Sequence, residues 1–474
     1  MTRLSPNGPA TTPDPDPSAG EGTGSWSDLL SGRHAATVLV LAGGVALYAM
    51  NLYFTAALMP SIVADIGGEQ YYAWVSTGFL MAAVIASMLV SRVLGSWGGS
   101  AAYLVGFLVF AVGAVVNALS PTMEVLIAGR VVQGLGGGLL AGLGYAVIRT
   151  ALPARLWGRA AGLVSAMWGF GTLVGPALGG LFAEWDAWPW AYGLLVVVAL
   201  VLAALTRRAL PRGAGPADRT PVPVRSLVLL TLAASAFSVS STVPPGGPTA
   251  LALGAGVVLL VVFLLVEAKG PASVLPRLTY RRGSSLKWVY LTVAALCAGV
   301  MAENFIPLFG QELGGLSPFA AGLLGAAVSV GWVVAQLVSV NLAGRTARRA
   351  IRVAPLLLTG GLVGYGLLLT DHASGLVVVG WAVLLVIAGT GIGLAFPHLS
   401  VAAMSSTDDP AEGAKAAAAL NTTQLIAFAV TSAIAGTLLN VGGSTLVEAA
   451  RLMTFGLAVL TALGVATSAF AGRE

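Results

Sequence analysis

Charge is scarce in this chain: Asp, Glu, Lys and Arg make up 9% of its 474 residues, against 57% hydrophobic ones, and the mean hydropathy is +0.88. A soluble domain of that makeup would expose large apolar patches, which excludes the soluble classes. Cysteine is nearly absent. The one thiol, Cys297, lies in an apolar segment with no second cysteine to pair with, so no disulfide framework exists and redox compartment is unread. Histidine is almost as rare. His34, His372 and His398 are too scattered to suggest a metal site, and neither a metal nor a cofactor is expected. No Gly-x-x-x-x-Gly-Lys-Ser/Thr loop is available to cradle a nucleotide phosphate, so neither ATP hydrolysis nor any other enzyme activity is expected. Residues 1–33 are rich in Pro, Gly, Ser, Thr and Asp and lack an apolar core, which excludes a signal peptide and predicts a disordered tail.

What the chain has in abundance is apolar sequence in segments of roughly 20 residues, the length that crosses a hydrocarbon core. Fourteen such segments are legible: 36–62, 72–94, 100–120, 122–150, 158–182, 189–207, 224–241, 249–267, 287–311, 316–342, 351–370, 375–402, 415–440 and 448–470. Their connections alternate in charge. The even-numbered ones are basic, holding Arg92, then Arg149, Arg155 and Arg159, then two Arg-rich stretches, then Arg345, Arg348, Arg349 and Arg352, and finally Lys415. Of the 24 Lys and Arg, only Arg130 and Arg451 fall off that side. Cytoplasmic connections of membrane proteins carry the Lys/Arg excess, so the reading is a multi-pass protein of the inner cell membrane with both termini cytoplasmic. The same sorting accounts for the net charge of +5 without a nucleic-acid partner, for which no binding module is present.

Pro and Arg concentrate at 208–225, after the sixth segment, and basic residues at 268–287, after the eighth. The expected organisation is a tail at 1–33, a six-helix bundle at 34–208, a linker with an extra helical hairpin at 209–283, and a second six-helix bundle at 284–474. Duplicated six-span halves point to a transporter, expected as a monomer in the lipid bilayer, whose solute path runs between them. The hairpin reads as lipid-facing filler.

The fifth segment contains Gly162, then Gly171, Gly175-Pro176 and Gly179-Gly180. Gly171, Gly175 and Gly179 recur every four residues, a smooth stripe on which another helix can approach closely; Pro176 permits a bend, and Gly162 lies on the opposite face. The spacing resembles the antiporter motif of the drug:proton exporters of the major facilitator superfamily, and it matches at all six positions. Upstream, Arg130-x-x-Gln133-Gly134-x-Gly136 is similar to the superfamily's Arg-x-x-Gln-Gly signature. Asn304 to Gln311 with Gly315-Leu316-Ser317-Pro318, Gly389 to Pro397, and Asn421-Thr422-Thr423-Gln424 look like parts of the second half of fourteen-span members. The resemblance covers about residues 40–470. It implies an all-α integral membrane protein of the major facilitator fold, two six-helix bundles plus an inserted two-helix hairpin, exporting small amphipathic organic molecules in exchange for protons.

Two departures from that family stand out. Asn51 occupies the place of an intramembrane Asp nine residues before Pro60, and an amide carries no proton near neutral pH. The connection after the second segment offers Ser91, Val93, Gly95, Ser96, Gly98, Gly99 and Ser100 where the family places a charged latch. The corresponding site of the second half keeps Arg345, Arg348 and Arg349, with Gly344 replacing its acid, so a cytoplasmic gate is expected there. These losses leave open a lipid or glycolipid exporter or facilitator on the same scaffold, and a non-transporting membrane sensor is the reading from another class.

Glu303 is the one acid well inside a segment. A carboxyl holds its proton in a low-dielectric core and releases it when water or a cation comes near, the alternation that coupling needs. Glu303 is therefore the expected proton carrier, and Arg130, at similar depth in the other half, its expected counterpart. Purely structural hydrogen bonds for both, or contact of Glu303 with a substrate cation, are the competing readings. Asn51, Gln133, Asn304, Gln311, Asn421 and Gln424 are the expected polar lining of the substrate cavity, or ties between helices. Tyr71, Tyr72, Trp74, Trp185, Trp188 and Trp190 sit at segment ends and read as interfacial anchors.

Overall fold

A hydrocarbon core offers no water to backbone N–H and C=O groups, so a chain crossing it must satisfy them within each segment, and here it does so as helix. The computed structural model describes residues 26–210, 222–270, 273–281, 283–407 and 410–471, and among them every regular element is helical. The spanning helices of the first half are α1 (Gly32–Ile66), α2 (Tyr72–Met88), α3 (Val90–Ala118), α4 (Met123–Ala146), α5 (Trp157–Glu184) and α6 (Trp188–Ala209). The hairpin is α7 (Val224–Ser240) and α8 (Gly247–Lys269). The second half is α9 (Leu286–Glu312), α10 (Pro318–Ser339), α11 (Gly344–Leu368), α12 (Gly375–Met404), α13 (Pro410–Val441) and α14 (Leu446–Ala471). Thirteen of these are long and apolar enough to cross a bilayer; α7, with 17 residues, is the short one. At 1.5 Å per residue it rises about 25 Å, a little less than the roughly 30 Å core.

Several boundaries differ from the sequence-based expectation. Of the tail expected at 1–33, residues 1–25 lie outside the described residues, whereas Trp26–Leu30 is helical and α1 begins at Gly32. Leu29 is fully buried against the first half, which gives that turn an apolar anchor. The connection after α2 is itself helical from Val90, interrupted at Gly98, whose φ of 75° only glycine adopts readily. Residues 211–221 of the linker lie outside the described residues.

Within the first half α1 packs on α5, α4 on α2 and α3, and α6 on α3 and α1; in the second, α12 packs on α10 and α11, and α14 on α9 and α11. The halves join through two equivalent seams, α5 on α10 and α13 on α2, the second helix of each half against the fifth of the other. Small residues make the close crossings possible. A Cβ on Gly389 would collide with the carbonyl oxygen of Val328, and one on Gly331 with that of Val386, so α10 and α12 touch backbone to backbone.

The hairpin divides in its role. α8 is mostly exposed, as filler would be. α7 instead lies on the α2–α13 seam, where Leu227, Leu230 and Ala234 join the core. Asn440 of α13 donates to the carbonyl oxygens of Ser240 (3.2 Å) and Val243 (2.9 Å), and the Ser240 and Thr437 hydroxyls share a hydrogen bond.

Backbone contact at the α10–α12 crossing makes a sharp prediction. Gly389→Ala is expected to destabilise the protein by about 1–3 kcal/mol through overpacking, seen as a lower unfolding temperature in detergent. Gly360→Ala, whose Cβ would meet open space, should leave that temperature unchanged.

Candidate transport path

Arg130 is completely buried on α4, where its Nη1 donates to Gln133 Oε1 at 2.8 Å and its Nε to the carbonyl oxygen of Val75 on α2 at 3.3 Å. The guanidinium stacks on Phe79, 4.1 Å from the ring centroid. Gln133 Oε1 also accepts from Asn117 Nδ2 of α3 at 2.9 Å. A cation–π contact of this kind is worth about 2 kcal/mol or more when desolvated. One guanidinium nitrogen, Nη2, is left without a partner, as are Gln133 Nε2 and Asn117 Oδ1. The cluster thus ties three helices together and still keeps unspent hydrogen-bonding capacity. Gly129 makes the tie possible, since a Cβ there would run into Asn117 Oδ1.

The second half presents its acid differently. α9 breaks at Met301–Asn304, where a 3-10 turn replaces α-helix before Ile306–Glu312 resumes. Pro307 supplies the reason: it disfavours helical conformation before it and sits comfortably in the first turn of a new helix. Glu303 lies on that turn, 1% exposed. Its Oε1 accepts from Ser329 Oγ of α10 at 2.8 Å, and its Oε2 has no partner. The turn packs against α1 of the opposite half, on which the phenol of Tyr53 is also without a hydrogen-bond partner.

The other expected residues fall into two sets. Asn51 is fully buried on α1 with neither amide atom bonded, and Asn304 Oδ1, Gln311 Nε2 and Gln424 Nε2 are likewise unpartnered. Asn304 otherwise makes only a 3.8 Å contact to Met301 Sδ, and Asn421 is half-buried on α13. Unspent polar atoms on this scale are costly in a dry core and are ordinary where water or a ligand is admitted. Arg345, Arg348 and Arg349 form the other set: all are exposed on the first turns of α11, on helix rather than on a loop. Arg130 and Glu303 each bond within their own half in this conformation.

The glycine motif proves to serve two partners. Cβ atoms at Gly175 and Gly179 would stand 2.7 Å from Met50 O and 2.5 Å from Phe54 O, so α5 lies on the backbone of α1. Gly180 meets α10 of the other half at Pro318 O, 2.7 Å from such a Cβ, and Gly322 closes on Pro176. A Cβ at Gly171 would meet Met50 N at 2.6 Å, whereas Gly162 faces open space.

At the end of the bundle away from the termini the halves are fastened further. Tyr72 stacks on Phe305 with centroids 5.2 Å apart, and Phe319 N donates to Glu184 at 3.1 Å. Tyr72 is therefore a cross-half contact and not a lipid anchor, and Trp188, 5% exposed, donates to Asp65 at 3.0 Å; Trp185 and Trp190 are exposed as anchors would be. Toward the opposite end Tyr145 and Ala166 are exposed, as is Phe170 at the middle of α5. Sequence reasoning missed Asn117, Phe79, Ser329 and Tyr53; for Asn117 the signal was available, a solitary amide in an apolar segment.

Gln133→Leu removes the shared acceptor and leaves the Arg130 guanidinium and the Asn117 amide each short of a partner. The expected loss is about 2–4 kcal/mol of stability, measured as unfolding in detergent.

The family model described as Major Facilitator Superfamily matches residues 41–432. A probable multidrug-efflux transporter of Mycobacterium tuberculosis is 45% identical over 455 residues, 94% of this chain and 96% of that protein. Multidrug resistance protein 3 of Bacillus subtilis is 24% identical over 80% of this chain and 75% of that one. Among solved structures, a D-xylose-proton symporter superposes with a TM-score of 0.65 at 16% identity, covering 93% of this chain and 98% of that one, a likeness of fold alone. The matched family and the near full-length relative establish that this chain belongs to the major facilitator superfamily and is a multi-pass membrane transporter, not an enzyme.

Proposed function

We propose that the protein exports small amphipathic organic molecules from the cytoplasm by alternating access, driven by proton antiport, as a fourteen-span drug:proton antiporter of the inner membrane. The observation that carries the coupling is Glu303: a buried carboxyl on a break in α9, one oxygen held by Ser329 and the other unspent, set against α1 of the opposite half. The family resemblance expects an acid on α1, and there Asn51 stands instead. α9 is the first helix of the second half as α1 is of the first, so Glu303 offers a carboxyl on the equivalent helix. The relative's description as a probable multidrug-efflux transporter supports the substrate class.

Residues 34–208 and 284–474 are the two bodies that rock, with 209–283 as linker and hairpin. The Tyr72–Phe305 and Glu184–Phe319 fastenings support a conformer closed on the side away from the termini. The preponderance of Lys and Arg on the terminal side supports its being cytoplasmic. Arg130 organises the first half through Gln133 and Asn117, and in the alternate conformer its free nitrogen serves Glu303 or substrate. Arg345, Arg348 and Arg349 gate the cytoplasmic mouth, and Asn51, Gln133, Asn304, Gln311, Asn421 and Gln424 line the cavity that holds the substrate. The chain works as a monomer.

One proton moved through 100 mV supplies about 2.3 kcal/mol, enough for roughly a fifty-fold gradient. In reconstituted vesicles, adding a lipophilic dye should change lumenal pH for the native chain and not for Glu303→Gln, which should retain dye binding and lose at least ten-fold in gradient-driven transport. Unchanged coupling in Glu303→Gln overturns the carrier assignment. The amide at Asn51 and the uncharged turn around Gly98 favour a second reading, facilitated export of a lipid, which predicts transport without any pH change.

A further inference from the structure

Beside the basic end of the lipid-facing helix α8 lies a cavity of about 320 Å³ that the transport path does not use. Lys269, Arg277 and Arg281 line it together with Glu267, Gly270 and Tyr280. Its single carboxylate is engaged within the site. Glu267 is 1% exposed, and its oxygens accept from Val274 N at 3.0 and 2.9 Å, from Leu275 N at 3.3 Å and from the Tyr280 hydroxyl at 3.0 Å. Four hydrogen bonds from the following segment fold it back over the helix end, and Arg277 donates to the carbonyl oxygen of Gly270 at 3.5 Å. The result is a pocket with a net positive lining, in which the exposed Lys269, Arg277 and Arg281 are gathered around a buried, fully hydrogen-bonded carboxylate.

Its position decides what can enter. The cavity begins where α8 ends, and α8 is the least buried of the long apolar helices. Val258, Val261, Leu264 and Leu265, all exposed, run up the helix toward it as an apolar ridge. A ligand that fits both features has an anionic head and hydrocarbon tails. A free anion gains nothing from the ridge, whereas each Lys or Arg near a membrane surface contributes about 1 kcal/mol toward an acidic lipid.

We propose that this cavity is a binding site for the phosphate-bearing headgroup of an acidic phospholipid, with Lys269 and Arg281 facing the phosphate, Glu267 holding the walls, and the acyl chains lying along α8. The inference is independent of substrate and coupling ion.

The test uses the full chain in nanodiscs of phosphatidylcholine doped with phosphatidylglycerol, counting retained lipids by native mass spectrometry. Native protein should retain phosphatidylglycerol over phosphatidylcholine, and the double variant Lys269→Gln/Arg281→Gln should retain at least five-fold less. An Arg207→Gln/Arg208→Gln control, which removes two exposed charges at the end of α6, should lower retention less than two-fold. Glu267→Gln separates a built site from a diffuse patch: losing a negative charge strengthens a patch, whereas losing the wall weakens the site. Equal retention by the native and Lys269→Gln/Arg281→Gln proteins, or stronger retention by Glu267→Gln, overturns the proposal. Displacement of the lipid by millimolar inorganic phosphate also overturns it, in favour of a soluble anion.

Discussion

Between helices in a bilayer no hydrophobic drive operates, because lipid tails are as apolar as leucine; what holds them is dispersion at very short range. This protein depends on that contact. Gly175 and Gly179 lay α5 on the backbone of α1, Gly180 and Gly322 lay it on α10, and Gly331 and Gly389 lay α10 on α12. The chain of contacts runs from the first half, through the seam, into the second. It sets the separation at which Ser329 of α10 reaches Glu303, and at which α1 meets the turn that carries it.

A second consequence concerns polarity. Arg130, Glu303 and Glu267 are buried ionisable groups, and each is handled by hydrogen bonds within its own neighbourhood. Their treatment differs in a way that fits their places. Glu267, at a helix end, has both carboxylate oxygens engaged by a folded-back segment. Arg130 and Glu303, deep in the bundle, each keep an unspent polar atom. A fully satisfied carboxylate is a structural fixture, while a half-satisfied one has room for a proton or another partner.

The hairpin shows how the two helices of one insertion take different roles. α8 is purely apolar from Leu251 to Val266, whereas α7 carries Ser226, Thr231, Ser235, Ser238 and Ser240. α7 is anchored on the α2–α13 seam by Asn440 and Thr437 of α13, the latter sharing a hydrogen bond with Ser240. Its own hydroxyl and its neighbours on α13 together hold it against both halves, while α8 stays mostly exposed.

How much was legible beforehand varies with the range of the interaction involved. The helical class and number of spans follow from segment length and composition, because the bilayer imposes both on any chain that crosses it. The glycine stripe of α5 was legible too, because four-residue spacing puts side chains on one helical face whatever the fold. The break in α9 had a local sign in Pro307, although the segment read as continuous. Tyr72 read as an anchor and turned out to stack on Phe305, some 230 residues away in sequence, a pairing no local pattern encodes. The sequence by itself determined which residues are chemically able to act, a lone acid and a lone arginine within apolar spans. Tertiary structure alone decided their company, Ser329 for Glu303 and Phe79 with the carbonyl of Val75 for Arg130, because partner choice depends on how helices distant in sequence cross and rotate against one another.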